Sequence, residues 1–174
     1  MTESRHALLL DYKADGYREL AADQNSSGVQ SDILINQKTK IVIKISAAKP
    51  YHAFVDFALS SKNDALPVFY ENRWVAQDGI SVDLGFSVTK MELLKPLSDK
   101  DWESLGVWLP HAEEAIKNST PPCSGDPFDL FDALTSIWSF AKENEFGVDL
   151  IDRANFMKRS SVGIERIVIL DPVD

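Results

Sequence analysis

Apolar positions along this chain change period from one half to the other. Asp32-Ile33-Leu34-Ile35-Asn36 and Ile41-Val42-Ile43-Lys44-Ile45 are short runs rich in β-branched residues, which predict two strands. Gln37-Lys38-Thr39 between them reads as a hairpin loop. Tyr51 to Ser61 then switches to helical spacing, with Phe54, Phe57 and Ala58 on one face and Pro50 suited to the first turn. Leu66 to Val75 predicts a strand with a turn inside it at Asn72-Arg73. Ile80, Val82, Leu84, Phe86 and Val88 alternate with period two, and that run ends in Met91-Glu92-Leu93-Leu94-Lys95-Pro96-Leu97. The expectation is an antiparallel sheet of about five strands with one inserted helix. Ahead of it, Ser4 or Thr2 caps a short helix over Ala7 to Leu10, and Tyr17 to Ala22 fits either strand or helix.

The second half is mainly helical. Ser98 with Asp101 three residues on resembles a capping box. Trp102, Leu105, Leu109, Ala112 and Ile116 follow as a stripe, with Pro110 predicting a kink or two segments. Asn118 to Gly125 is a Pro/Ser/Gly loop. Asp126-Pro127 is expected to open a strong helix with Phe131, Leu134, Ile137, Trp138 and Ala141 inward, closed by Gly147. A β-hairpin turning at Gly163 ends the chain, with Asn155 before its first strand and Asp171 after its second. A hairpin brings its ends together, so an amide oxygen and a carboxylate meet there, with Asp149 or Asp152 close by. Oxygen donors of this kind suit a hard cation such as magnesium. The fold class is therefore α+β.

Composition narrows the function. The 174 residues fit one domain or one domain in two small lobes, and 44% hydrophobic content supports a core. A net charge of −9 argues against a sequence-independent nucleic-acid grip and is compatible with basic partners. The single cysteine, Cys123, forms no internal disulfide and belongs to a Pro-Pro-Cys-Ser-Gly loop with no Cys/His cluster around it. The N-terminal apolar run, Ala7 to Leu10, is too short for a signal peptide or a membrane span, so a cytoplasmic protein with no membrane role is expected.

One residue breaks the pattern. Lys44 stands inside a run that belongs to a buried strand, and a buried ammonium without a partner costs several kcal/mol, of order 3–5. Either Lys44 faces solvent or something negative meets it. Asp56, the only acid within the Tyr51–Ser61 helix, is either that partner or a solvated surface acid.

Taken in order, these pieces resemble the protein-kinase-like fold in a very short form. They look most like the small kinase-like proteins of tailed phages and the aminoglycoside- and choline-kinase type enzymes. The resemblance runs from about Ser26 to Pro172. It implies a first lobe over residues 1–97 with a hinge near 91–97, and a truncated helical second lobe over 98–174 ending in a catalytic-loop-like hairpin. ATP and magnesium are the implied cofactors. Ser26 to Ser31, with Ser27 and Gly28, lies where the glycine-rich loop would be. Val42-Ile43-Lys44 resembles the strand lysine that meets the α- and β-phosphates, and Asp56 stands where its acidic partner is expected. Backbone groups from Glu92 to Leu94 would bind adenine. Asn155 and Asp171, the latter in Leu-Asp-Pro, resemble the two magnesium ligands.

The departures are specific. In the family the catalytic Asp precedes the metal-binding Asn by five residues, and that position here is Leu150. Asp149 or Asp152 would have to orient the substrate hydroxyl. The loop has one glycine, the partner acid is the shorter Asp, and the chain stops three residues after Asp171, without an activation segment. Three readings follow. One is a minimal ATP-dependent phosphotransferase acting on a host or partner protein. Another is a catalytically dead pseudokinase that binds or inhibits such a protein. The third is an α+β domain with no nucleotide site and Lys44 on its surface.

Overall fold

A computed structural model describes residues 4–20, 31–76, 85–122, 125–161 and 164–174. The chain forms two compact units. Met1–Ser61 and Val68–Leu93 make the first; Lys62–Pro67 and Leu94–Asp174 make the second. The resemblance divides the chain at residue 97. The compact units divide it at Leu93 and transfer Lys62–Pro67 to the second.

The first unit begins with helix α1, Arg5–Ala14, whose N-terminus is capped by Ser4 Oγ accepting the Ala7 N–H at 3.1 Å. Five strands follow: β1 (Arg18–Glu19), β2 (Ser31–Asn36), β3 (Ile41–Ser46), β4 (Phe69–Ala76) and β5 (Gly85–Glu92). They form one antiparallel sheet in the order β1-β2-β3-β5-β4. Helix α2, Lys49–Ser60, is inserted between β3 and β4. The β2–β3 turn is held by Asn36 Oδ1, which accepts the N–H groups of Lys38 and Thr39 at 3.0 and 3.1 Å. Strand alternation sorts the two faces of the sheet. Leu34, Ile43, Ile45, Phe86 and Val88 pack on Leu8 of α1. Val42, Lys44 and Ser46 alternate to the other face. Asn72 and Arg73 are not a turn: they lie within β4, paired with Thr89 and Val88. The irregularity of that strand is a register shift between Phe69 and Glu71.

The second unit contains β6 (Lys95–Pro96), α3 (Asp99–Lys117), α4 (Phe131–Glu143), β7 (Phe156–Ser161) and β8 (Ile164–Ile169), the strands in the order β6-β7-β8. Ser98 and Asp101 form the expected capping box. Helix α3 runs through Pro110 as one segment. Proline removes the hydrogen bond to the carbonyl four residues back, and both Gly106 and Pro110 are exposed, so water reaches that carbonyl. Helix α4 starts at Phe131, later than Asp126-Pro127 predicts, because Asp129 adopts φ 58° and interrupts the turn. Asp126 still serves the helix end, its carboxylate accepting the N–H groups of Leu130 and Phe131 at 3.0 and 2.8 Å. Nor does Gly147 close α4. The left-handed residue there is Glu145, φ 59°, and the Phe146 N–H returns to Ala141 O at 2.9 Å. Gly147 instead pairs with Asp174, its N–H donating to the Asp174 carbonyl at 3.0 Å.

Together these elements give an α+β protein: four α-helices, a five-stranded antiparallel sheet with an inserted helix, and a hairpin sheet at the C-terminal end. Among the described residues, no helix is long and apolar enough to cross a membrane.

Lys62–Pro67 is bound to the hairpin through its backbone and through an ion pair between Asp64 and Arg166 at 3.5 Å. The Arg159 guanidinium donates to the carbonyls of Asp64 and Leu66 at 2.6 and 2.8 Å. The Ile169 N–H donates to Ala65 O at 2.8 Å. Charged hydrogen bonds of this kind contribute roughly 1.5–3 kcal/mol. Arg159→Ala is therefore expected to raise amide hydrogen exchange at Ile169 by about tenfold or more. Unchanged protection at Ile169 would show that the guanidinium does not hold the segment.

Candidate functional site

Lys44 lies in the central strand β3, between Ile33 of β2 and Thr89 of β5. It is 4% exposed. The reading of Lys44 as a surface residue is thereby corrected. Its ammonium sits 3.8 Å from the centre of the Tyr51 ring, on α2. Only Ala47 and Ala48 connect β3 to α2, so the helix must turn straight back beside its own strand. Ser46 Oγ, accepting the Ala48 N–H at 3.2 Å, fixes that turn.

Asp56 has other partners. Its carboxylate accepts the Asn72 side-chain N–H at 2.7 Å and lies 3.7 Å from His52 Nε2, and the side chain is 59% exposed. Asn72 is the centre of a polar seam between sheet and helix. Its Oδ1 accepts the Thr89 hydroxyl at 3.0 Å, and its Nδ2 also lies 2.8 Å from His52 Nδ1 and 3.1 Å from the His52 carbonyl. Reading Asn72 as a turn residue hid this role. The available signal was strand parity, which places it opposite Thr89 on the face that carries Lys44.

Ser27 and Gly28, the expected phosphate loop, lie outside the described residues. Glu92 ends β5, and the chain passes into the second unit between Leu93 and Leu94. The Glu92 and Leu93 N–H groups are committed to Val68 O and Lys40 O at 3.0 and 2.9 Å. The Glu92 carboxylate accepts the Val68 N–H at 2.8 Å. Of the three expected adenine contacts, Leu94 is therefore the one whose amide is the better candidate.

In the second unit the backbone draws Asp149, Asn155 and Asp171 together. Asn155 N–H bonds to Asp152 O at 3.0 Å, and Asn155 O accepts the Leu170 N–H at 2.7 Å, which places Asp171 one residue beyond this pair. Across the same junction the Asp149 N–H donates to Pro172 O at 2.9 Å. Asp171 is thus bracketed by two hydrogen-bonded neighbours. Asn155, 9% exposed, donates its Nδ2 to the Asp149 carbonyl at 3.0 Å. That bond fixes the orientation of the amide.

The two candidate bases differ. Asp152 caps the 3-10 turn Arg153–Asn155, accepting the Ala154 N–H at 2.8 Å, and is exposed. Asp149 is half-buried, and its Oδ1 accepts the N–H groups of Ile151 and Asp152 at 2.9 and 3.2 Å. Leu150 is 8% exposed. Asn155 is hydrogen-bonded to the backbone of both, through its Nδ2 to the Asp149 carbonyl and through its N–H to the Asp152 carbonyl, each at 3.0 Å. Asn155→Ala removes a buried donor-acceptor pair and is expected to lower stability by about 1–3 kcal/mol. Urea unfolding with an unchanged midpoint would contradict that anchoring role.

Among the described residues, no group of three or more His, Cys, Asp or Glu side chains stands in metal-holding geometry. Asn155 and Asp171 carry oxygen donors of the chemical kind that magnesium takes, an ion commonly held by one or two protein oxygens with water and phosphate completing the shell. Elsewhere in this unit, Lys158 lies 2.8 Å from Asp101 and 2.7 Å from Glu165. Hydrogen bonds from Lys158 hold both carboxyls below their ordinary range, and those bonds raise Lys158. Comparison with known protein families and with curated proteins found no match.

Proposed function

We propose that this is a minimal kinase-like protein that binds ATP with magnesium and transfers a phosphoryl group to a host or partner protein. The supporting observation is Lys44: a lysine 4% exposed in the central strand of the sheet, at the position where the resemblance implies the phosphate-binding lysine. In this reading Lys44 of the first unit holds the nucleotide phosphates. Asn155 and Asp171 of the second unit hold magnesium, and the Leu94 backbone meets adenine. Magnesium, when bound, neutralises charge on the transferring phosphate. Asp149 orients the attacking hydroxyl. The net charge of −9 favours a basic protein acceptor.

A pseudokinase that binds or inhibits its partner is the second reading. It is favoured by Leu150, a buried aliphatic residue where the family carries its catalytic acid. The test has two stages. Titration calorimetry with ATP should show binding that requires magnesium; a flat titration removes both nucleotide readings. Incubation with labelled ATP, alone and with lysate, then separates them. Transfer lost in Asp149→Asn supports the enzyme. Nucleotide binding without transfer supports the pseudokinase.

A further inference from the structure

We propose that His52 is an acid-sensitive catch between helix α2 and the sheet: neutral, it lets Asn72 hold the helix, and protonated, it breaks that hold. The inference stands apart from the nucleotide reading, because it needs only the polar seam of the first unit.

Asn72 decides where its neighbour can carry a hydrogen. Its side-chain nitrogen faces three atoms of α2: Asp56 Oδ1 at 2.7 Å, His52 Nδ1 at 2.8 Å and the His52 carbonyl at 3.1 Å. A carboxylate and a carbonyl only accept, so the amide nitrogen must point at them and the amide oxygen away. That oxygen accepts the Thr89 hydroxyl of β5 at 3.0 Å. With the nitrogen so placed, His52 Nδ1 meets a donor and has to offer a lone pair. The neutral ring therefore carries its hydrogen on Nε2, which lies 3.7 Å from Asp56 Oδ2, too far for a hydrogen bond.

Protonation puts a second hydrogen on Nδ1, and two donors then face each other across 2.8 Å. Turning the amide over is no escape, since its oxygen would meet the Asp56 carboxylate and the His52 carbonyl. The imidazole must swing away, out of its contact with the Trp74 ring, whose centroid is 5.2 Å from its own. Its side chain is 24% exposed, so it has solvent to enter. Lys49 and Asp56 lie one turn to either side of His52 on α2. Across the sheet, alternation places Lys44 of β3 on the face toward α2, and Glu71, Arg73 and Lys90 of β4 and β5 on the face toward α1. Asp56 attracts a charged ring, but its side chain is 59% exposed and solvent screens the pair. The catch therefore turns on the pattern of donors and acceptors. Acid loosens α2 on β4, the strand at one end of the sheet.

A pH series on the intact protein tests it, over the range in which histidine changes charge. At about pH 8 the long-range 1H–15N spectrum should show His52 protonated on Nε2 and bare on Nδ1. A hydrogen on Nδ1 there would overturn the proposal with no variant needed. Between about pH 8 and 5 the ring should titrate, and protection of the Asn72 side-chain amide, relative to exposed asparagine amides, should fall about tenfold. A ring that stays neutral throughout, or one that titrates while Asn72 keeps its protection, would overturn the proposal. His52→Asn keeps an acceptor in the place of Nδ1 and cannot be charged, so its Asn72 protection should be equal at both ends of the series. The same fall in that variant would assign the change to another group and overturn the proposal.

Discussion

Lys44→Met is expected to weaken magnesium-ATP binding by about 100-fold or more while the melting temperature holds or rises. Methionine keeps the long unbranched stem and removes only the charge. A buried charge is weak evidence of stability, and the contact with the Tyr51 ring contributes roughly 0.5–2 kcal/mol. A lysine kept for a ligand therefore leaves a distinct signature: affinity collapses and stability does not. Calorimetry and thermal unfolding of one variant read both quantities. A melting point several degrees lower, with affinity unchanged, would make Lys44 a structural residue and end the nucleotide reading.

Asp171→Ala is expected to abolish the magnesium-dependent part of nucleotide binding. Asp171 follows Leu170, which is tied to Asn155, and precedes Pro172, which is tied to Asp149. These are backbone bonds, so losing the carboxylate leaves the junction formed. Titrations with and without magnesium should differ in the wild type and coincide in the variant. Wild-type affinity in Asp171→Ala with magnesium present would remove Asp171 as a ligand.

Much of the architecture was legible in the sequence because it is written in local periods. The β2–β3 hairpin follows from two β-branched runs, α2 from Pro50 and the Phe54/Ala58 spacing, and the last hairpin from two runs around a turn. Asn155 and Asp171 were placed beside each other by that logic alone, and the bonds at Leu170 and Pro172 show how the junction closes. The readings that missed depend on what a residue meets across space. Asn72 carries a turn propensity, yet three strong partners on α2 and β5 hold it within a strand. Asp126 looked like a helix N-cap, and it does receive helix amides, but from outside the helix, because Asp129 turns left-handed between them. Asp56 was read as either the lysine's partner or a solvated surface acid; it is exposed and meets Asn72 and His52.

Segment Lys62–Pro67 gives the architecture a genetic consequence. It is encoded between α2 and β4 yet belongs to the second unit, so the polypeptide crosses between units after Ser61, after Pro67 and after Leu93. A single recombination at Leu93 would hand a new host sequence the Arg159 fork and the Ile169 amide without the hexapeptide that receives them. An exchange of the two halves at that point would therefore part the hexapeptide from the groups that bind its backbone.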